Sequence, residues 1–220
     1  MKLKKFLEEH NIEAVLISSK YSLRYFTGFT GTTGIALAFA EKRFFFTDFR
    51  YVTQAKKEVE PNGFTVVKVE RGAVDALAEY IKNSGIKKLG IEDKYVTLAE
   101  YVVYKEKFEG IGFVTLGEAL DKLRMIKTEE EIGYIKKAVE IGDKVFEYIL
   151  DKVKEGAIEK DLAAEMEFQM KKLGGEGPSF ETIIASNYRS ALPHGVASEK
   201  ALEKDNYESN KIGINLVNYS

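Results

Sequence analysis

Through residue 122 the chain keeps switching its hydrophobic period, and that constrains the fold more than any single motif. Short apolar runs, "AVLIS" (14–18), "GIALAFA" (34–40), "KRFFFTDF" (42–49), "FTVVKVE" (64–70) and "KKLGIED" (87–93), read as strands. Between them lie segments with helical spacing. Residues 2–10 put Leu3, Phe6 and Leu7 on one face, "RYVTQAKKEV" follows a turn, and "AVDALAEYIKNSG" (73–85) stops at Gly85. A further helix is predicted over 95–109, and "GFVTLGEAL" supplies a last strand leading into a short turn. Strands interleaved with helices predict a mixed α/β domain over about residues 1–122.

The pattern changes near residue 124. "TEEEIGYIKKAVEIGDKVFEYILDKVKEG" opens with Thr128 as N-cap and Glu131 three residues on, a capping box. Ile132, Ile135, Val139, Val145, Phe146 and Ile149 then keep a helical period, and Gly156 is read as a turn glycine where the helix ends. A second helix follows with Leu162, Met166 and Met170 on one stripe, stopped by Gly174 and Gly175. "SFETIIASN" (179–187) reads as a strand whose Phe180, Ile183 and Ile184 face a core. The second domain is therefore placed at 123–220, with its junction in "DKLRMIK" (121–127).

Composition removes several kinds of function. A formal net charge of −2 creates no basic field, so no nucleic-acid partner is expected. No apolar run approaches the roughly 18 residues that cross a bilayer, and acidic residues follow the basic start where a signal peptide needs an apolar core. The expectation is a cytoplasmic protein without a membrane partner. With no cysteine there is no disulfide, thiolate metal site or cysteine nucleophile.

Few residues are left to carry chemistry. His10 and His194 are the only imidazoles, and they fall in different predicted domains. His10 sits at a helix exit, where it complements the helix dipole. The carboxylates lie mostly on solvated helix faces, and "EEE" (129–131) is a helix-start charge run, so the residues alone display no metal site. Ser190 and Ser198 lie near His194 in sequence, but no nucleophile elbow accompanies them. "TGFTGTTG" (27–34) lacks the spacing of a phosphate or dinucleotide loop and is read as turn glycines. Arg50, after an aromatic strand, is open to a dimer contact, a domain contact or plain solvation. What remains is "SNYRSALPHGVASEK" (186–200), which exposes Ser186, Asn187, Arg189 and His194 along a strand exit. Pro193 restricts the backbone just before His194, and Gly195 lets it turn away. Two readings stand for it: a histidine in a tight surface turn, or a hydrogen-bond donor to a substrate carbonyl.

At this stretch the sequence resembles the Xaa-Pro peptidase family, aminopeptidase P and prolidase, whose catalytic domain has the creatinase-like "pita-bread" fold. "YSLRYFTGFTGTTG" and "FFTDFRYVTQA" are similar to the family's N-terminal domain, and "LRMIKTEEEIGYIKKA" to its hinge and first catalytic-domain helix. "GGEGPSFETIIASNYRSALPHGVAS" is similar to the segment that leads into the active site. The resemblance covers about residues 1–204 and implies a creatinase-like N-terminal mixed-sheet domain followed by an incomplete pita-bread α+β catalytic domain. In the family two divalent metals, Mn, Co or Zn, support cleavage of the peptide bond before proline. The resemblance makes His194 a substrate-side group near the scissile carbonyl and not a metal ligand. It gives Phe180 a packing or pocket-lining role, and Arg189, exposed at the same strand exit, is a second substrate-pocket candidate. It also implies Xaa-Pro peptides as substrates and a homo-oligomer.

Residues 205–220 depart from the quoted pattern. Asp205 and Asn206 stand where the family has a Gly-Asp pair, and the first metal-ligand position falls on Lys211, whose ammonium cannot replace a carboxylate. The expectation is that no catalytic metal binds to this chain and that it has no peptidase activity, as for a product whose reading frame shifts after residue 204. Two alternatives are a metal-free peptide-binding or interaction module and a purely structural folded fragment.

Overall fold

The computed structural model describes residues 2–70 and 72–203 and divides the chain into two compact units, residues 1–126 and 127–220. The expectations for residues 205–220, including Asp205, Asn206 and Lys211, lie outside the described residues.

The first unit is built on six strands: β1 (Ala14–Ile17), β2 (Ile35–Phe39), β3 (Arg43–Asp48), β4 (Thr65–Val69), β5 (Lys88–Ile91) and β6 (Gly112–Thr115). They lie in the order β4-β3-β2-β1-β5-β6. The pairs β1–β2 and β2–β3 are antiparallel, while β3–β4, β1–β5 and β5–β6 are parallel, so the sheet is mixed, as the family resemblance implies.

β1 explains why a run such as "AVLI" carries no polar residue. Side chains alternate across a strand, so Val15 and Ile17 enter one core while Ala14 and Leu16 enter the other. The first core is closed by α1 (Lys2–Glu9), α2 (Lys20–Thr27), α3 (Val52–Val59) and α6 (Ala119–Met125), through Phe6, Leu23, Val59 and Leu120. The second is closed by α4 (Ala73–Ser84) and α5 (Leu98–Lys107), through Leu77, Ile81 and Tyr104. In β3, Phe45 points into the first core and Phe46 into the second.

Two helices of this unit escape the sequence reading. α2 is rich in Tyr, Ser and Phe, weak helix formers, and is held by its ends. The Ser19 hydroxyl accepts from the Ser22 N–H, and Gly28 caps it at φ 78°. Buried Glu92 fixes the same turn, accepting from the Ser18 and Ser19 N–H groups at 2.7 and 3.0 Å and from the Ser19 hydroxyl at 2.9 Å. α6 runs through the expected junction at 122–123, because Leu120 is buried in the first core.

The second unit begins with α7 (Glu129–Leu150) and α8 (Glu159–Lys172). The Thr128 capping box forms as predicted: Glu131 N–H donates to the Thr128 hydroxyl, and Thr128 N–H donates to the Glu131 carboxylate at 2.6 Å. Leu162, Met166 and Met170 pack with Val145, Ile149, Ile184 and Leu202 in one core. Val139 and Phe146 share the predicted apolar face of α7 but are exposed. The strand expected at 179–187 is absent among the described residues. Thr182, Ile184 and Ala185 are buried, but a strand needs a neighbour for its N–H and C=O groups. The described part of this unit forms only one isolated bridge, between Ile158 and Ala201. No described helix is long and apolar enough to cross a membrane.

Candidate functional site

The site is organised from the first residue of α8. The backbone there is tied to a returning segment. Gly156 and Glu159 N–H groups donate to the Leu202 and Lys200 carbonyls at 2.9 and 3.0 Å, and Lys160 N–H donates to the Ser198 carbonyl at 3.0 Å. This brings the Glu159 side chain, wholly buried, between the two ends of the segment that carries His194.

Glu159 binds both ends. Its Oε1 accepts from the Ser186 N–H and hydroxyl, each at 2.7 Å. Its Oε2 accepts from the Ser198 hydroxyl at 2.7 Å, the Ser198 N–H at 3.2 Å and Arg189 Nε at 3.1 Å. Burial pushes this carboxyl up, but the hydrogen bonds from Ser198 and Ser186 outweigh it and hold the group below the usual carboxylate range.

Between the two serines the chain makes a 3-10 turn (Asn187–Ala191) and then a second tight turn, with Gly195 N–H donating to the Leu192 carbonyl at 3.2 Å. Asn187 takes φ 53°, a left-handed conformation that Asn tolerates better than most residues. Gly195 is buried, and its role is close approach. A Cβ there would sit 3.0 Å from the Arg189 carbonyl oxygen and 3.3 Å from both the Ala185 and Leu192 Cβ atoms.

His194 occupies the tip of this loop, exposed, with no hydrogen bond to its imidazole among the described residues. Arg189 is turned inward. Its guanidinium pairs with Glu159 and donates from Nη2 to the Val196 carbonyl, crossing the loop from within. Phe180, expected to face the core, is 38% exposed, since its segment has no described sheet to lie against. Sequence reasoning missed Glu159, whose position in a first helical turn reads as a solvated acid. The available signal was the pair Ser186 and Ser198, one at each end of the loop.

The described residues do not fit a divalent-metal pair. No group of three or more His, Asp or Glu among them could hold a metal ion, and both Glu159 oxygens are occupied by donors. The other sequence candidates have local roles. His10 Nδ1 lies 3.0 Å from the Phe6 carbonyl, with its ring stacked on Phe6 at 4.2 Å. Arg50 pairs with Asp48, Nη2 to Oδ2 at 2.7 Å and Nε to Oδ1 at 3.0 Å. In "TGFTGTTG", Gly28 caps α2, while Gly31 and Gly34 leave room for Phe29 and Phe45.

Comparison with known proteins bears on both units. The family model described as Creatinase/Prolidase N-terminal domain matches residues 1–126, and that of Metallopeptidase family M24 matches 133–220. The second match extends through the residues that the sequence reading sets apart at 205–220. The Xaa-Pro dipeptidase of Pyrococcus furiosus is 39% identical over 207 residues, covering 92% of this chain and 56% of that protein. Among solved structures, an Xaa-Pro dipeptidase from Bacillus anthracis superposes with a TM-score of 0.86 at 40% identity, covering 92% of this chain and 56% of that one. An X-Pro aminopeptidase from Thermotoga maritima gives 0.83 at 36% identity, covering 91% and 58%. The chain thus spans a little over half the length of these relatives.

Proposed function

Because this chain belongs to the creatinase/prolidase family of metallopeptidases, we propose that it supplies the N-terminal domain and the substrate-side loop of an Xaa-Pro peptidase. The substrates of an intact relative are peptides with proline after the scissile bond, which it hydrolyses. The observation that carries this reading is His194, an exposed imidazole on a loop fastened at both ends to one buried carboxylate.

On that loop an imidazole N–H donates a hydrogen bond to the scissile carbonyl oxygen and strengthens it as negative charge develops there. Phe180 forms an apolar wall of the pocket. Arg189 acts at the pocket by holding the Val196 carbonyl and keeping the loop closed. The two divalent metals of the family, Mn, Co or Zn, have no ligand set among the described residues, and the role proposed for those residues is binding and orientation. With Lys211 at the family's first metal-ligand position, these 220 residues alone are expected to bind no catalytic metal pair and to release no proline. Supporting that is the supply of imidazoles, two in all, one in each unit. A homo-oligomer completes the proposed assembly.

The test is proline release from an Xaa-Pro dipeptide with Mn, Co or Zn in excess. The 220-residue chain should give none above a metal blank. Residues 1–203 joined to the remaining C-terminal part of the Pyrococcus furiosus relative should give release specific for proline. Turnover by the 220-residue chain, or a folded chimera with no preference for proline, overturns the reading.

A further inference from the structure

We propose that Glu159 is the positioning residue of this site: it fixes the loop that presents His194 without touching substrate. The inference rests on His194 being the substrate-side group and adds the element that places it. A carboxylate has about four lone-pair sites, and here five donors converge on two oxygens. Glu159 therefore has no capacity left to bind a metal or to accept a substrate proton. Its burial also has a cost, because a desolvated carboxylate is tolerated only when fully paired.

The distribution of the bonds shows what the carboxylate does. Oε1 takes one end of the loop at Ser186, and Oε2 takes the other at Ser198. Arg189 extends the tie across the loop, from Oε2 to the Val196 carbonyl two residues beyond His194. The His194 imidazole takes no part in the fastening among the described residues, and the His194 carbonyl accepts only the local Val196 N–H at 2.8 Å. Its position is thus set through the backbone that Glu159 holds. Closing a loop at both ends on one rigid group restricts the backbone that carries the exposed imidazole.

The chain's two histidines make the test direct, since His10 in the other unit serves as an internal reference. The measurement is 1H–13C NMR of the two imidazoles in the 220-residue chain, with amide hydrogen exchange at Ser186 and Ser198. Glu159→Gln keeps the shape but turns an NH2 group toward donors. The expected result is a His194 ring signal that moves toward its random-coil position and sharpens, with at least tenfold faster exchange at both serine amides and an unchanged His10. A His194 signal and serine exchange both unchanged in Glu159→Gln overturn the proposal. If Glu159→Gln unfolds the second unit, Ser198→Ala, which removes one hydroxyl tie and leaves the Arg189 pair, must still increase His194 ring mobility. An unaltered ring there also overturns it. No substrate enters these measurements, so they fail or succeed independently of proline release.

Discussion

Replacing Gly34 by alanine tests whether the glycines of "TGFTGTTG" serve packing or a ligand. A Cβ built at Gly34 lies 2.2 Å from Phe45 Cζ, 2.9 Å from Cε1 and 3.1 Å from Cε2. Ordinary contact begins near 3.4 Å, so the ring has to withdraw by about 1 Å. It has nowhere to go, because Phe45 is fully buried, packs against Phe29 at a centroid distance of 4.6 Å, and sits in β3 between β2 and β4. Overpacking of this kind costs about 1–3 kcal/mol, and the rigidity of the surroundings places Gly34→Ala at the upper end. The assay is urea unfolding followed by hydrogen exchange on peptides from residues 2–126, since a chain of two units need not unfold in one step. The expected result is a lower midpoint for that unit and unaltered exchange in residues 127–203. A midpoint displaced by less than about 0.5 kcal/mol would refute the packing argument and reopen a ligand role for the glycines.

Three further outcomes follow from the second unit. Glu159 is held below the usual carboxylate range in the fold, so its contribution to stability is complete above that range and is lost as pH falls through the folded value. The urea midpoint of residues 127–203 should stay level in this respect from neutrality to about pH 5 and fall below that, and Glu159→Gln should flatten the acid limb; an unchanged acid limb in the variant would count against the pairing. Thr128→Ala removes half of the α7 capping box and should cost about 1 kcal/mol, read as faster amide exchange in the first turn of α7. Tyr134, Val139, Phe146 and Phe168 are exposed, so sedimentation velocity should show self-association that Phe168→Glu weakens, whereas a monomer at every concentration would contradict it.

The sheet was legible because β1 and β2 are buried on both faces and so carry unbroken apolar runs, while β3 keeps Phe44, Phe45 and Phe46 together. The α7 start was legible because its capping box is local chemistry between Thr128 and Glu131. α2 was hidden because its stability comes from Ser19, Gly28 and the distant Glu92, with little from propensity. The segment 179–187 misled because its apolar pattern suits a strand, while a strand also requires a partner that no local sequence supplies. At the candidate site, the anchor Glu159 is not legible in the sequence. An acid in the first turn of a helix is ordinarily solvated, and only the convergence of Ser186, Arg189 and Ser198 reveals Glu159 as buried and paired. Arg189 reads from the sequence as a pocket residue, whereas the fold directs its guanidinium to Glu159 and the Val196 carbonyl.

The most direct test of the substrate-side role is steady-state proline release by the chimera carrying His194→Ala, compared with the unaltered chimera. Loss of a hydrogen bond that strengthens as charge develops should lower kcat about 100-fold and change KM far less. An unchanged kcat in a folded variant would contradict the role assigned to His194.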